Sequence, residues 1–111
     1  MTHRALLVLL TLACLPVPAR AADGSAHGAT SCGEWVSHRK KSDNLALSNA
    51  SWLVGYLSGL NAGSKKDLLA GHDNAGTYAW MDSYCNGHPL KDTASGAREL
   101  MNEWLQKGAD K

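Results

Sequence analysis

Three cysteines punctuate this chain, and where export trims it decides how many it folds with. Cys14 lies in a leading segment that reads as a secretory signal. His3 and Arg4 give a short positive start, and Ala5 to Leu15 form an unbroken run of apolar and small residues. Pro16 and Pro18 then break any helix ahead of the small-x-small triplet Ala19-Arg20-Ala21. The apolar run is 11 residues long, short of the ~20 that a membrane-spanning helix needs. Cleavage is expected between Ala21 and Ala22, so that 1–21 leaves as a signal peptide. The other reading makes Cys14 a lipidated N-terminus, although Leu12 stands one position late for a lipobox. With the signal gone, Cys32 and Cys85 remain, 53 residues apart along the chain. An even pair in a small exported chain is expected to form a disulfide; a nucleophilic thiol and a metal ligand are the competing readings. A bridge of that span contributes about 4 kcal/mol in the chain-entropy model.

Such a staple suits what the length allows. A chain of 111 residues holds one compact domain, which excludes a catalytic barrel or a doubly wound nucleotide fold. Without 1–21, 9 basic side chains stand against 10 acidic ones. No cationic excess is left to hold a phosphate backbone, so nucleic acid is not an expected partner. No apolar segment is left to hold a membrane either.

Residues 22–30 are small, polar and aperiodic, and are expected to be a flexible leader before a single helical domain over 31–108. Ser31 with Glu34 three residues on matches a capping box and starts a first helix carrying Cys32, Trp35, Val36 and Arg39. His38 to Lys41 end it with positive charge. A polar linker, 40–47, leads to a second helix over about 48–62. There Trp52, Leu53, Val54, Tyr56, Leu57 and Leu60 occupy nearly the whole circumference, as in a central, buried helix. Gly55 and Gly59 share a face of it, and close approach of a neighbouring helix or of the disulfide is the expected reason; tolerated irregularity is the alternative. Asn61 and Gly63 provide the stop. Asp73 caps a third helix over about 74–86, with Trp80 and Tyr84 paired at i,i+4 and Asn86-Gly87 as a left-handed end. Pro89 suits the first position of a fourth helix, which turns Ala94, Ala97, Met101, Trp104 and Leu105 inward and pairs Glu103 with Lys107. The fold class expected is all-α: one small bundle of about four helices stapled by one disulfide, with the bridge crossing the central helix.

No catalytic, cofactor or metal site is expected. Ser58 lacks the Gly two positions before it that a nucleophile elbow requires, and reads as a small packing residue. Cys85 and His88 with Cys32 imitate a zinc set but lack a second close-spaced pair. Asp67, Asp73, Asp82 and Asp92 are scattered singly. An exported helical module without such groups is expected to work by binding.

Trp52-Leu53-Val54-Gly55-Tyr56-Leu57-Ser58-Gly59-Leu60-Asn61, then Trp80-Met81-Asp82-Ser83-Tyr84-Cys85 and Pro89, resemble the W-x-x-G-Y-(L/I)-S-G-x-N…W-x-x-x-Y-C…P pattern of the Rap/Tai immunity proteins. Cys32-Gly33-Glu34-Trp35 fits that group's C-x-x-W element, and the resemblance covers about 31–105. It implies a bacterial periplasmic protein that binds a peptidoglycan-cleaving amidase effector of type VI secretion and plugs its Cys-His cleft, in some members as a homodimer. Gly55, Gly59, Trp80, Tyr84 and Cys85 look like core and staple, leaving loop 62–73 and linker 40–47 as candidate contact segments. The same ground plan is similar to the HdeA-like periplasmic acid chaperones. An orphan relative with another structural or interaction role is the third reading.

Overall fold

The computed structural model describes residues 25–109. The signal segment, its cleavage point at Ala21 and Ala22, and the lipidation alternative at Cys14 lie outside the described residues. Four helices follow one another: α1 (Cys32–Lys41), α2 (Asn44–Ala62), α3 (Asn74–Gly87) and α4 (Thr93–Ala109). Among the described residues there is no strand beyond one isolated bridge, Ser31 to Asp92. None of the described helices is long and apolar enough to cross a membrane.

Side-chain caps set the helix starts. Ser31 Oγ accepts from the Glu34 amide at 3.1 Å while Glu34 accepts from the Ser31 amide, completing the capping box. Ser42 ends α1 in a left-handed conformation, φ +50°. Asp43 then caps α2 by accepting from the Ala46 amide at 3.0 Å. Residues 44–47 are therefore the first turn of α2 and not a linker, since the cap just ahead of them captures them. Asp73 caps α3 as expected, accepting from the Gly76 amide at 2.6 Å.

Between α3 and α4 the expectation fails in two places. Gly87 is the last helical residue and not a left-handed stop; the chain leaves through His88 at φ −133°. Pro89 precedes α4 instead of opening it. It lies in a turn that Lys91 closes by donating its amide to the His88 carbonyl, and Asp92 caps α4 through the Ser95 amide at 2.8 Å. The turn is held because its far side is bonded to the start of α1: Cys32 N donates to Lys91 O and Thr93 N donates to Thr30 O. The end of the expected flexible leader is thus anchored. Trp52 Nε1 also donates to the His27 carbonyl at 2.8 Å, and Gly28, at φ +84°, lies so close to the Trp52 ring that a Cβ would meet it at 2.7 Å.

The core lies where all four helices meet. Trp35, Leu53, Leu57, Met81, Ala97 and Leu100 are buried, with Trp104 and Met101 closing it. On α4, Leu100 takes the inward place expected of Leu105, which is 46% exposed. The disulfide between Cys32 and Cys85 is formed, its Cα atoms 4.7 Å apart. It joins helices already in contact, α1 on α3, so it does not cross over α2. Further along that seam, Arg39 donates through both Nε and NH2 to the Asp82 carboxylate at 2.9 and 2.8 Å, and Trp35 Nε1 adds a third donor at 2.8 Å. Such a bidentate pair fixes both distance and rotation of the two helices.

α2 is not buried all round. Ala46, Ala50, Leu53 and Leu57 form one buried stripe at spacings of four, three and four, while Gly55, Ser58 and Gly59 face outward. A Cβ at Gly55 or Gly59 would meet nothing within 4 Å, so close packing does not explain these glycines, and the Ser58 hydroxyl bonds the Val54 carbonyl of its own helix. Gly55→Ala and Gly59→Ala should each raise stability by about 0.5–1 kcal/mol, as open helix-interior glycines do. Urea denaturation measures this; a loss of stability would contradict the open face.

Candidate functional site

The residues of the W-x-x-G-Y and W-x-x-x-Y-C motifs act mostly as fasteners. Trp52 stacks on Tyr56 at 4.9 Å, and the Tyr56 hydroxyl accepts from Arg98 at 3.1 Å, tying α2 to α4. Trp80 stacks on Tyr84 at 5.3 Å and donates its indole N–H to Glu103 at 2.9 Å, tying α3 to α4. Tyr84 in turn stacks on His88 at 4.3 Å. Of the positions that define the motifs, Gly55, Ser58, Gly59 and Pro89 face solvent.

Asn61 does something that its position near a helix end does not announce. Its side-chain oxygen accepts from the Leu68 amide at 2.7 Å and its amide donates to Asp67 at 3.1 Å. Ser64 Oγ donates to the Asn61 carbonyl at 2.9 Å. One residue at the end of α2 thus latches the loop 62–73 from inside. Leu68 and Leu69 pack against the core, while Lys65, Lys66 and Ala70 are exposed. The loop's last turn returns to α4 through His72, whose ring stacks on Trp104 at 4.1 Å. Of the two expected contact segments, this loop is the one that exists as a loop.

The single carboxylates each have a structural role. Asp67 belongs to the latch, Asp73 and Asp92 are caps, and Asp82 faces Arg39. Cys85 is bonded to Cys32, so the imitated zinc set has no free thiolate, and no group of three or more metal-ligating side chains occurs among the described residues.

Hydrogen bonding of this kind depresses the carboxyl groups. Burial pushes Asp82 up, but hydrogen bonds from Arg39 and Trp35 outweigh it and hold it below its ordinary 3.8. The Ser95 amide does the same for Asp92, the His38 hydrogen bond for Asp43, the Thr30 hydroxyl for Glu34, and Lys107 with Trp80 for Glu103. A depressed group stabilises the fold fully above its unfolded value and loses that contribution as pH falls through the folded one. The melting temperature should therefore hold down to about pH 5 and fall as the pH drops below about 4. An unchanged midpoint at about pH 3, read by circular dichroism, would contradict these assignments.

Comparison with known proteins finds no family model, no curated protein and no solved structure that matches this chain.

Three features lie beyond the reach of sequence patterns: the Arg39–Asp82 pair, the Asn61 latch and the His72 stack on Trp104. The first two join residues 43 and 7 positions apart, which no local periodicity exposes. By its spacing Trp104 is core, as its burial shows, and nothing along the chain foretells the His72 ring against it.

Proposed function

We propose that this protein is an exported, periplasmic recognition module of the Rap/Tai kind, which binds a peptidoglycan amidase effector and blocks its active-site cleft with the loop 62–73. The observation that carries this reading is the loop itself: exposed at Lys65, Lys66 and Ala70, yet latched by Asn61. A loop ordered before it binds loses little entropy on binding, which favours tight occlusion without chemistry of its own. The signal-like segment and the Cys32–Cys85 bridge fit a protein that meets its target outside the cytoplasm.

Co-purification of the exported chain with Cys-His amidases encoded beside it tests the proposal. A stable complex is expected; amidases that never co-purify would remove the reading. Asn61→Ala should cost about 1–2 kcal/mol of stability, abolish hydrogen-exchange protection of the Leu68 amide, and weaken the complex further than the stability loss accounts for. Undiminished protection would show that the latch does not hold the loop.

A second reading, an acid-stress chaperone, draws on the five carboxylates that hydrogen bonds hold below their ordinary range, whose protonation would withdraw those contributions in acid. Suppression of client aggregation at about pH 3, without any amidase complex at neutral pH, would favour it over inhibition.

A further inference from the structure

Leu90 stands 97% exposed in the turn between α3 and α4, and Pro89 before it is exposed as well. Single exposed leucines are ordinary on a protein surface; the backbone beneath this one is not. Lys91 closes the turn by donating its amide to the His88 carbonyl at 3.0 Å, and the Cys32 amide donates to the Lys91 carbonyl at 2.9 Å. Just beyond, Thr93 donates to the Thr30 carbonyl at 3.0 Å, and the Thr30 amide returns a bond to Thr93 Oγ1 at 3.2 Å. On the near side, His88 Nδ1 bonds the Tyr84 carbonyl at 2.8 Å and its ring stacks on that of Tyr84 at 4.3 Å. The Cys32–Cys85 bridge ties the last turn of α3 to the start of α1, and Pro89 fixes its own φ. Leu45, Leu47 and Leu105 are exposed too, but they lie on helices and are partly covered. At Leu90 the fold holds in place a side chain that it does not bury.

We propose that Pro89 and Leu90 form a second contact surface, an apolar tip that enters an apolar socket of one leucine's size on a partner protein. The anchors of protein interfaces are side chains of this kind, seated in pockets that exclude water. A turn bonded on both sides before it binds loses little freedom on binding. A lipid surface is a poor occupant, because a single leucine supplies less apolar area than even the one acyl chain that binds membranes only marginally. The tip lies at the opposite end of α3 from the loop 62–73. That helix has 14 residues, about 21 Å at 1.5 Å per residue. The inference therefore stands apart from the amidase reading and adds a contact that the loop does not make.

A benzophenone amino acid placed at position 90 of the full chain, produced in its own cells and irradiated, tests the proposal. One dominant adduct is expected, with the cross-linked residue in an apolar pocket of a different protein. An excess of the parent should compete the adduct away, and an excess of Leu90→Asp should not. The purified adduct partner should bind Leu90→Ala at least about tenfold more weakly than the parent. The melting temperatures of both variants should stay that of the parent, because Leu90 supports nothing in the fold. No adduct, adducts spread over many proteins, an adduct to a second copy of this chain, or equal binding by Leu90→Ala overturns the proposal. The amidase assay keeps the two claims apart. If an amidase complex forms but position 90 yields no adduct, the tip assignment falls and the functional reading stands. If no amidase binds but position 90 marks a socket in another protein, the functional reading falls and the tip assignment stands.

Discussion

Replacing Cys32 by Ala should lower the stability of the folded chain by about 4 kcal/mol, the loop-closure value for a 53-residue span. In a domain of this size that is a fall in melting temperature of roughly 15–30 °C. The mechanism is mainly a wider unfolded ensemble, because α1 and α3 also hold each other by other means. These are the Arg39 fork on Asp82, the Trp35 indole on the same carboxylate, and Arg39 lying 5.8 Å from the Trp35 ring and 5.7 Å from that of Tyr78. The native seam should therefore survive when the domain is folded, and Cys32→Ala, Cys85→Ala and reduction of the parent should give similar losses. Thermal melts with and without reductant measure this. Equal midpoints would contradict a stapled fold. A Cys32→Ala protein folded at low temperature should still bind its partner, since neither cysteine reaches the surface.

Gly96→Val should cost about 3 kcal/mol, and Gly96→Ala about 1–2 kcal/mol, even though Ala improves helix propensity by up to about 1 kcal/mol. At Gly96 α4 lies hard against α3. A Cβ there would meet Met81 Sδ at 2.7 Å, and Met81 Cε and Tyr84 Cδ1 at 2.8 Å. Met81 is fully buried and Tyr84 nearly so; the Tyr84 ring is held between Trp80 and His88, so relief must come from the flexible end of Met81. The sign of the effect separates this glycine from Gly55 and Gly59, where the same substitution should stabilise. Met81→Ala should itself cost about 2–5 kcal/mol by opening a cavity, and in that background Gly96→Ala should cost less than it does in the parent. Denaturation of the single and double variants checks the set; a Gly96→Ala protein as stable as the parent would mean that the two helices do not sit this close.

The contrast among the three glycines shows where the sequence is legible. Helix number, fold class, two of the caps and one ion pair follow from local chemistry: Ser31 with Glu34, Asp73, and Glu103 with Lys107 all act within about one turn of themselves. The disulfide follows from cysteine count once export is assumed. The rest needs the third dimension. Gly55 and Gly59 read as packing residues because a glycine's environment leaves no trace in its neighbours along the chain, and Gly96 is silent for the same reason. Pro89 suits a helix start by its local chemistry, but Lys91 and Thr93 are bonded to residues 30–32 and draw the start of α4 to Asp92. Asp43 is a favoured cap type in plain view, yet the apolar run beginning at Trp52 pulls the expected boundary inward. At the candidate site, expected exposure picks out two segments, the loop 62–73 and the linker 40–47, and does not rank them. The loop's latch and its return to α4 rest on pairings of Asn61 with Leu68 and of His72 with Trp104 that sequence spacing does not encode.

The central claim is that recognition, with no chemistry of its own, is what this helical block contributes. Its most direct test is hydrolysis of peptidoglycan by a Cys-His amidase encoded beside the chain, titrated with the purified protein lacking residues 1–21. The account predicts that activity falls linearly and vanishes at a fixed stoichiometric ratio, and that the chain alone releases no product. Amidase activity that is unaffected by an excess of the chain, or turnover by the chain itself, would contradict it.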